Sequence, residues 1–438
     1  AALVYSADQN PSMAGTFAAG STAPLSSSCL RYFLPHPVTA TSNTRFSLPV
    51  PAKPIYPAAP AMALRQRHHH SLEVVGGAYD AFVPALKTLV RPYVPFPLIG
   101  WNRHLETVFA AWLRSLPNVR FKRECIRTKD DGAVALDWVS GDGRRLPADS
   151  PLLILLPGLT GGSQDAYVRH MLIKARSSGW RVAVFNGRGC ADSPVTTPQF
   201  YSGSFIEDTR EVIAHVTTRY PTAHIYAVGW SLGANILVRY LGQDSHACPL
   251  SGAVSLCNPF NLVIADEDLR KGFNNVYDRN LANALRKILA KHVSLFEDIG
   301  GRYNVPMALN SKTIKEFDDG ITSVSFGFES VDDYYRNSGS AAVINQVCTP
   351  LLCIQAANDP IAPYRAIPVE DIQENSNCLL VVTPKGGHLG WVAGAGAPRG
   401  AAWPDVLVME FLDHLERGRA PFPDASLPLL GSETVPTA

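Results

Sequence analysis

Several signatures that would assign a function directly are missing from this chain of 438 residues. The net charge is only +1, and no long basic run with interleaved aromatic residues occurs, so we expect no nucleic-acid partner. No uninterrupted apolar stretch reaches the roughly 20 residues of a membrane-spanning helix, so no transmembrane segment is expected. Eight cysteines are present without a Cys-x-x-Cys pair, which favours buried, reduced thiols, with structural disulfides as the alternative.

Motifs for metals and phosphate-bearing cofactors are also absent. The sequence has no His-Glu-x-x-His, no carboxylate cage and no paired-cysteine site, so we expect no metal. The glycine-rich segment 157–162 lacks the Lys-Ser/Thr of a phosphate loop, and neither it nor 187–189 extends to G-x-G-x-x-G. We therefore expect no cofactor.

Acidic residues are almost missing from the N-terminal segment, where Asp8 is the sole acid before Glu73. The segment is rich in Ser, Thr, Ala and Pro, and such a composition buries too little apolar surface to fold. We predict that residues 1–75 form a disordered region that acts as an organelle transit peptide. A plastid location follows, with mitochondrial or cytoplasmic locations as alternatives. A C-terminal tail is predicted at 418–438.

The remaining chain, 78–417, has the pattern of one α/β domain. Fully apolar strand-like segments alternate with helical ones, which is typical of a parallel sheet covered on both faces. The predicted strands are 152–156, 182–185, 225–228, 253–256, 351–354 and 379–382. The predicted helices between them are 164–177, 205–219, 232–241 and 369–375. A hairpin of 119–127 and 133–139 around an Asp-Asp-Gly turn precedes the sheet. The fold class is therefore α/β, a doubly wound, mostly parallel sheet.

Two segments interrupt this alternation. Residues 78–117 form a helical extension broken by prolines, which we expect to pack across the main domain. Residues 261–342 contain amphipathic helices and no convincing strand, and one helix places Leu281, Leu285 and Leu289 on one face. An insertion after a strand lies over the carboxyl ends of the sheet, where such folds place their sites. We therefore expect it to act as a helical lid.

The stretch from Gly229 to Gly233 has the form G-x-S-x-G between a predicted strand and a predicted helix. A serine held above a sheet requires a turn so sharp that side chains two positions before and after it would collide, and the two glycines remove them. Ser231 is therefore a candidate nucleophile. A serine hydroxyl needs an imidazole to accept its proton and a carboxylate to orient that imidazole.

The partners of such a serine must come from loops at the same edge of the sheet. Asp359 follows the strand 351–354, and His388 follows the last strand between flanking glycines. The chain order Ser, Asp, His is that of α/β-hydrolases. Asp332 and Asp333 in the insertion are the rival acids. The Pro-Gly-Leu segment after the first parallel strand predicts that the N–H groups of Leu159 and Leu232 hold the oxyanion.

With these residues the chain resembles the α/β-hydrolase family that includes plant embryogenesis-associated proteins, YheT-type hydrolases, yeast medium-chain ethyl ester synthase/esterases and abhydrolase-domain phospholipases. The resemblance is carried from about 80 to 417 by the segments 102–107, 157–163, 185–190, 229–235, 258–260, 333–335, 358–360 and 387–390. It implies the same triad of Ser231, Asp359 and His388.

The sequence thus predicts a serine esterase or lipase-like enzyme. An apolar lid suits carboxylic esters with medium or long acyl chains, or lipid esters, and it allows peripheral contact with a membrane. Acyl transfer to an alcohol is the alternative within the class, although no histidine is followed by an aspartate in the H-x-x-x-x-D acyltransferase pattern. A catalytically silent ligand-binding or scaffold protein is the alternative outside it.

Overall fold

The computed structural model of the chain describes residues 71–141, 143–297 and 301–419. Nine strands form one sheet. They are β1 (Glu73–Val75), β2 (Arg120–Arg127), β3 (Ala133–Ser140), β4 (Leu152–Leu156), β5 (Arg181–Asn186), β6 (Ile225–Trp230), β7 (Gly252–Leu256), β8 (Leu351–Ala356) and β9 (Cys378–Thr383). Their spatial order is β1-β9-β8-β7-β6-β4-β5-β3-β2.

The helices of the described ranges follow the strands in the alternation that the sequence predicts. They are α1 (Tyr79–Phe82), α2 (Arg103–Trp112), α3 (Ala166–Ser177), α4 (Glu207–Arg219), α5 (Leu232–Asp244), α6 (Leu262–Leu269), α7 (Asn275–Ala290), α8 (Ser294–Glu297), α9 (Val305–Asn310), α10 (Ile314–Phe317), α11 (Ser323–Ser325), α12 (Val331–Ser338), α13 (Val369–Glu374) and α14 (Pro404–Arg417). A π-helical turn, Asp318–Thr322, joins α10 to α11. None of these helices is long and apolar enough to cross a bilayer.

The six central strands β5, β4, β6, β7, β8 and β9 run parallel, as predicted. The predicted hairpin is confirmed as β2 and β3, which pair antiparallel from Arg127 opposite Ala133. β3 continues the sheet antiparallel to β5. The structure therefore confirms a doubly wound, mostly parallel α/β sheet preceded by a hairpin.

Alternation along β4 shows why its residues are all apolar. Leu153 and Leu155 face one core, which α3 and α14 cover, whereas Leu152, Ile154 and Leu156 face a second core beneath α4 and α5. A strand buried on both faces has no exposed position for a polar side chain.

The predicted boundary of the N-terminal region is wrong at its C-terminal end. Glu73–Val75 pair antiparallel with β9, with Val74 opposite Val381. Three residues carry too little local pattern to predict a strand, and β1 exists because an edge strand more than 300 positions away offers hydrogen-bonding groups. Residues 1–70 and 420–438, which include most of the predicted transit peptide and tail, lie outside the described residues.

The helical extension packs on the main domain. Phe82, Leu86 and Tyr93 belong to the same core as the central strands. The segment 257–350 separates β7 from β8, and in its described residues, 257–297 and 301–350, it contains helices and no strand. Part of this insertion has its own apolar cluster, in which Leu289 and Phe317 pack with Phe200 from outside it.

Candidate active site

The serine lies at a sharp turn between β6 and α5. Ser231 has φ of 53° and ψ of −121°, which is a strained backbone for a residue with a side chain. A Cβ at Gly229 would lie 2.7 Å from the carbonyl oxygen of Gly233, and a Cβ at Gly233 would lie 2.3 Å from that of Leu156. Both distances are closer than van der Waals contact, so this turn requires glycine at the two positions.

Three predicted residues meet at the carboxyl edge of the sheet. His388 Nε2 lies 3.1 Å from Ser231 Oγ, and His388 Nδ1 lies 2.9 and 3.1 Å from the carboxylate oxygens of Asp359. Because a carboxylate only accepts, the proton belongs on Nδ1, and Nε2 of the neutral ring accepts from the serine hydroxyl. The arrangement can therefore take the hydroxyl proton as the oxygen attacks.

The carboxylate of Asp359 is also held in place by hydrogen bonds that do not involve His388. Its Oδ1 accepts from the backbone N–H groups of Ile361 and Ala362, both at 2.8 Å, and the residue is 4% exposed. The rival acids lie elsewhere. Asp332 pairs with Lys315, and Asp333 accepts from Asn337 within the same helix.

The loop that closes β4 leaves one amide unused. The N–H groups of its other residues donate to Tyr167 (from Gly158), Tyr201 (from Thr160), Gly158 (from Gly161), Asp165 (from Gly162) and Asn186 (from Ser163). Within the described ranges the N–H of Leu159 has no acceptor, and neither has that of Leu232 in the first turn of α5. A Cβ at Gly158 would lie 3.1 Å from Ser231 Cβ, so this loop runs directly beside the serine. Two free donors next to a nucleophile form the arrangement that binds an oxyanion.

A helix from the N-terminal extension holds the histidine loop, which the sequence reasoning missed. In α2, Thr107 Oγ1 accepts from the backbone N–H of His388, and Glu106 Oε2 accepts from that of Gly386, both at 2.9 Å. Arg114, just beyond α2, donates to the carbonyl oxygens of Leu389 and Gly390. The available signal was an acid, Glu106, just ahead of the apolar run 108–112 in the same helix.

Glu106 is completely buried. Burial raises the pKa of its carboxyl from 4.5 to about 7, while hydrogen bonds from backbone N–H groups act in the opposite direction. The group therefore titrates near neutrality although it touches no reacting atom.

A thiol lies behind the triad. Cys257 Sγ accepts from the N–H of Leu389 at 3.3 Å, and burial raises its pKa well above 9.0, so it stays protonated. In the described part of the chain, Cys257, Asp359 and His388 form a group of possible metal ligands. One ligand atom from each residue lies within 4.8 Å of the other two. The same atoms already serve the hydrogen bonds given above, and we assign no metal to them.

A cavity of about 460 Å³ opens above the serine. Its floor includes Ser231, His388, Leu159 and Leu232, and the insertion supplies much of its wall. The wall residues from the insertion are mainly apolar: Leu262, Ala265, Leu269, Leu281, Leu285, Ile288, Ile314 and Phe317. Such a cavity is suited to a hydrocarbon chain.

Polar residues also line the cavity wall, among them Asp266, Asn280 and Asp318. Asp318 accepts from the hydroxyl of Tyr335 at 2.9 Å, and burial raises the pKa of its carboxyl to about 7. The carboxyl of Asp318 is thus part of the cavity wall and takes no part in the hydrogen bonds that join Ser231, His388 and Asp359.

A mostly parallel sheet with a strained serine between strand and helix, and with aspartate and histidine on later strand ends, defines an α/β hydrolase. The comparisons with known proteins agree. The chain belongs to the α/β-hydrolase fold family, whose model matches residues 151–392.

The relatives include enzymes that act on lipids. The chain is 60% identical over 362 residues to embryogenesis-associated protein EMB8 of Picea glauca, covering 81% of this chain and 79% of that protein. It is 34% identical to human phospholipase ABHD3, covering 71% and 76%, and 33% identical to a monoacylglycerol lipase of Saccharomyces cerevisiae, covering 58% of each. The resemblance drawn from the sequence is thereby confirmed.

Proposed function

We propose that this chain is a serine hydrolase of carboxylic esters with medium or long acyl chains or of lipid esters. The observation that carries the proposal is the hydrogen-bonded chain from Ser231 through His388 to Asp359, with two unused backbone donors beside it. Relatives named phospholipase and lipase support a lipid substrate.

The geometry gives each residue a role in this proposal. Ser231 Oγ attacks the ester carbonyl while His388 Nε2 takes its proton, and Asp359 stabilises the resulting imidazolium. The N–H groups of Leu159 and Leu232 bind the oxyanion, at roughly 3 kcal/mol of transition-state stabilisation each. His388 then protonates the leaving alcohol, and water activated by the same histidine hydrolyses the acyl-enzyme.

The insertion serves as a lid in this scheme. Its apolar residues cover the serine, so an acyl chain in the cavity would exclude water from the site while the ester carbonyl meets Ser231. The acyl-enzyme could also pass its acyl group to an alcohol, which is the alternative reaction. A plastid location, based on the composition of residues 1–75, stays a prediction that import of a fusion into isolated plastids would test.

Fluorophosphonate labelling tests the central claim. We expect the folded wild-type protein to be labelled and the Ser231→Ala variant to be unlabelled. Asp359→Asn should lose most ester hydrolysis because the amide holds the wrong imidazole tautomer, whereas Asp333→Asn is the matched control and should keep it. Folded protein that resists labelling would contradict the enzyme proposal and favour a scaffold role.

A further inference from the structure

Exposed apolar side chains are concentrated in one short part of the described chain. Of the large hydrophobic residues that are exposed, those from the segment 90–116 are Val90, Val94, Leu98, Trp101, Leu105, Trp112, Leu113 and Leu116. Trp101 is 62% and Trp112 68% exposed. Monomeric proteins rarely leave such a cluster in water without a partner for it.

Four of these residues lie on or just before α2, a helix that lines the active-site cavity with Thr107, Val108 and Trp112 among others. Leu105 and Trp112 lie on one face of α2, seven positions apart, with Leu98 and Trp101 just before the helix. Trp112 also lines the cavity. The exposed Phe273 and Val276 of the insertion continue the surface, because the ring of Phe273 lies 4.7 Å from that of His104 in α2. We call Leu98, Trp101, Leu105, Trp112, Phe273 and Val276 the mouth patch.

The exposed charges beside the mouth patch that have no ion-pair partner in the described residues are cationic. Arg103 of α2 and Arg279, three positions after Val276, are both exposed, whereas the single acid of α2, Glu106, is completely buried. Near Phe273, the carboxylate of Asp268 is paired with Lys271 and with Arg365. The patch therefore presents tryptophans and leucines beside a cationic border formed by Arg103 and Arg279.

The apolar side chains and the neighbouring cations together indicate what kind of partner binds the mouth patch. Exposed tryptophan beside arginine and lysine is typical of surfaces that insert into the headgroup region of an anionic bilayer. A second copy of the chain fits less well, since a two-fold contact through this patch would bring its cationic border against itself. The apolar cavity behind the patch provides a route for an acyl chain leaving the bilayer.

We propose that the mouth patch docks the protein on an anionic lipid surface and delivers acyl chains from it to the cavity. The delivery step rests on the proposed ester hydrolase function, whereas the docking step does not. Apolar insertion supplies affinity and the cationic border supplies preference for anionic lipid, so binding should weaken as salt rises.

Vesicle co-sedimentation with the full chain tests the docking. Vesicles of phosphatidylcholine mixed with phosphatidylglycerol should bind wild-type and Ser231→Ala protein equally, and more strongly than vesicles of phosphatidylcholine alone. The affinity of the double variant Trp101→Ser/Leu105→Ser for these vesicles should be lower by a factor of about ten or more, because two apolar side chains are no longer transferred from water to lipid. Neither residue lines the cavity, so hydrolysis of a dissolved short-chain ester should persist.

A control comes from exposed apolar residues that do not belong to the mouth patch. Ile173→Ser/Val406→Ser also removes two exposed apolar side chains, from α3 and α14, and should leave vesicle binding unchanged. Arg279→Glu, in the cationic border, should reduce the preference for phosphatidylglycerol. Circular dichroism would verify that each variant is folded.

Several results would overturn the docking proposal. The first is equal vesicle binding by the Trp101→Ser/Leu105→Ser and wild-type proteins. The second is a wild-type monomer that does not bind vesicles. The third is a wild-type dimer that does not bind vesicles and that dissociates, in sedimentation velocity, when Trp101 and Leu105 are replaced by serine. The last two would assign the patch to residues before 71 or to a second copy. Vesicle binding without fluorophosphonate labelling would support docking while contradicting the hydrolase function.

Discussion

Replacing Glu106 by glutamine should change how stability depends on pH. The side chain is completely buried, its Oε2 accepts from Gly386, and burial raises its pKa from 4.5 to about 7. Glutamine has nearly the same shape and keeps an oxygen that can accept from Gly386. The substitution therefore removes the ionisable group while the histidine loop stays attached to α2.

The magnitude follows from the two pKa values. The folded protein holds the proton more tightly than the unfolded chain, so between about pH 4.5 and 7 the folded state binds more protons. The free energy of unfolding therefore falls as pH rises through this window, and the full penalty is present above it. A change from 4.5 to about 7 corresponds to roughly 3 kcal/mol. Glu106→Gln lacks this penalty.

Urea unfolding of both proteins across the pH range measures the effect. Relative to wild type, Glu106→Gln should gain roughly 3 kcal/mol between about pH 5 and about pH 8. The buried carboxyls of Asp318 and Asp405, whose pKa values burial also raises to about 7, are present in both proteins and cancel in the difference. The exposed Glu329→Gln serves as control and should run parallel to wild type. Parallel curves for Glu106→Gln would refute the reasoning.

Two further substitutions probe the turns around the site. Thr107→Val removes the acceptor of the buried His388 N–H, so we expect a loss of about 1–3 kcal/mol of stability and slower ester hydrolysis, whereas Thr107→Ser keeps the hydroxyl and should retain most of both. Gly233→Ala places a Cβ 2.3 Å from the carbonyl oxygen of Leu156, so thermal unfolding should show a loss of about 1–3 kcal/mol and labelling of the nucleophile should slow. Gly418→Ala, whose Cβ would meet atoms no closer than 3.6 Å, is the control; an equal effect there would contradict the steric argument.

The parts of the fold that sequence predicts are those with strong local patterns. Leu152–Leu156 is a strand from end to end in both the pattern and the structure, because burial on two faces excludes polar residues. The turn at Asp130 to Gly132 likewise predicts the hairpin and its register. By contrast, Glu73–Val75 has no pattern of its own and becomes a strand only through β9.

The residues of the candidate site likewise include some that the sequence predicts and some that it does not. Ser231, Asp359 and His388 were predictable because each follows a strand, and parallel strands bring their carboxyl ends to one edge. The support from Glu106 and Thr107 was not, because these residues reach the histidine loop from 280 positions earlier in the chain. The local sequence around Glu106 and Thr107 does not indicate a contact with so distant a loop. The role of the Leu159 N–H is predicted from the position of its loop after β4, and the structure adds that the N–H groups of residues 158 and 160–163 all have acceptors.

The attachment of α2 to the histidine loop bears on how this protein can be divided or recombined. The family match begins at residue 151, yet Glu106 and Thr107 bind a loop that lies inside it. A chimera that takes 151–392 from one relative and the preceding segment from another would combine two halves of one interface. The smallest exchangeable unit therefore begins ahead of α2, and the two distant stretches must be inherited as a pair.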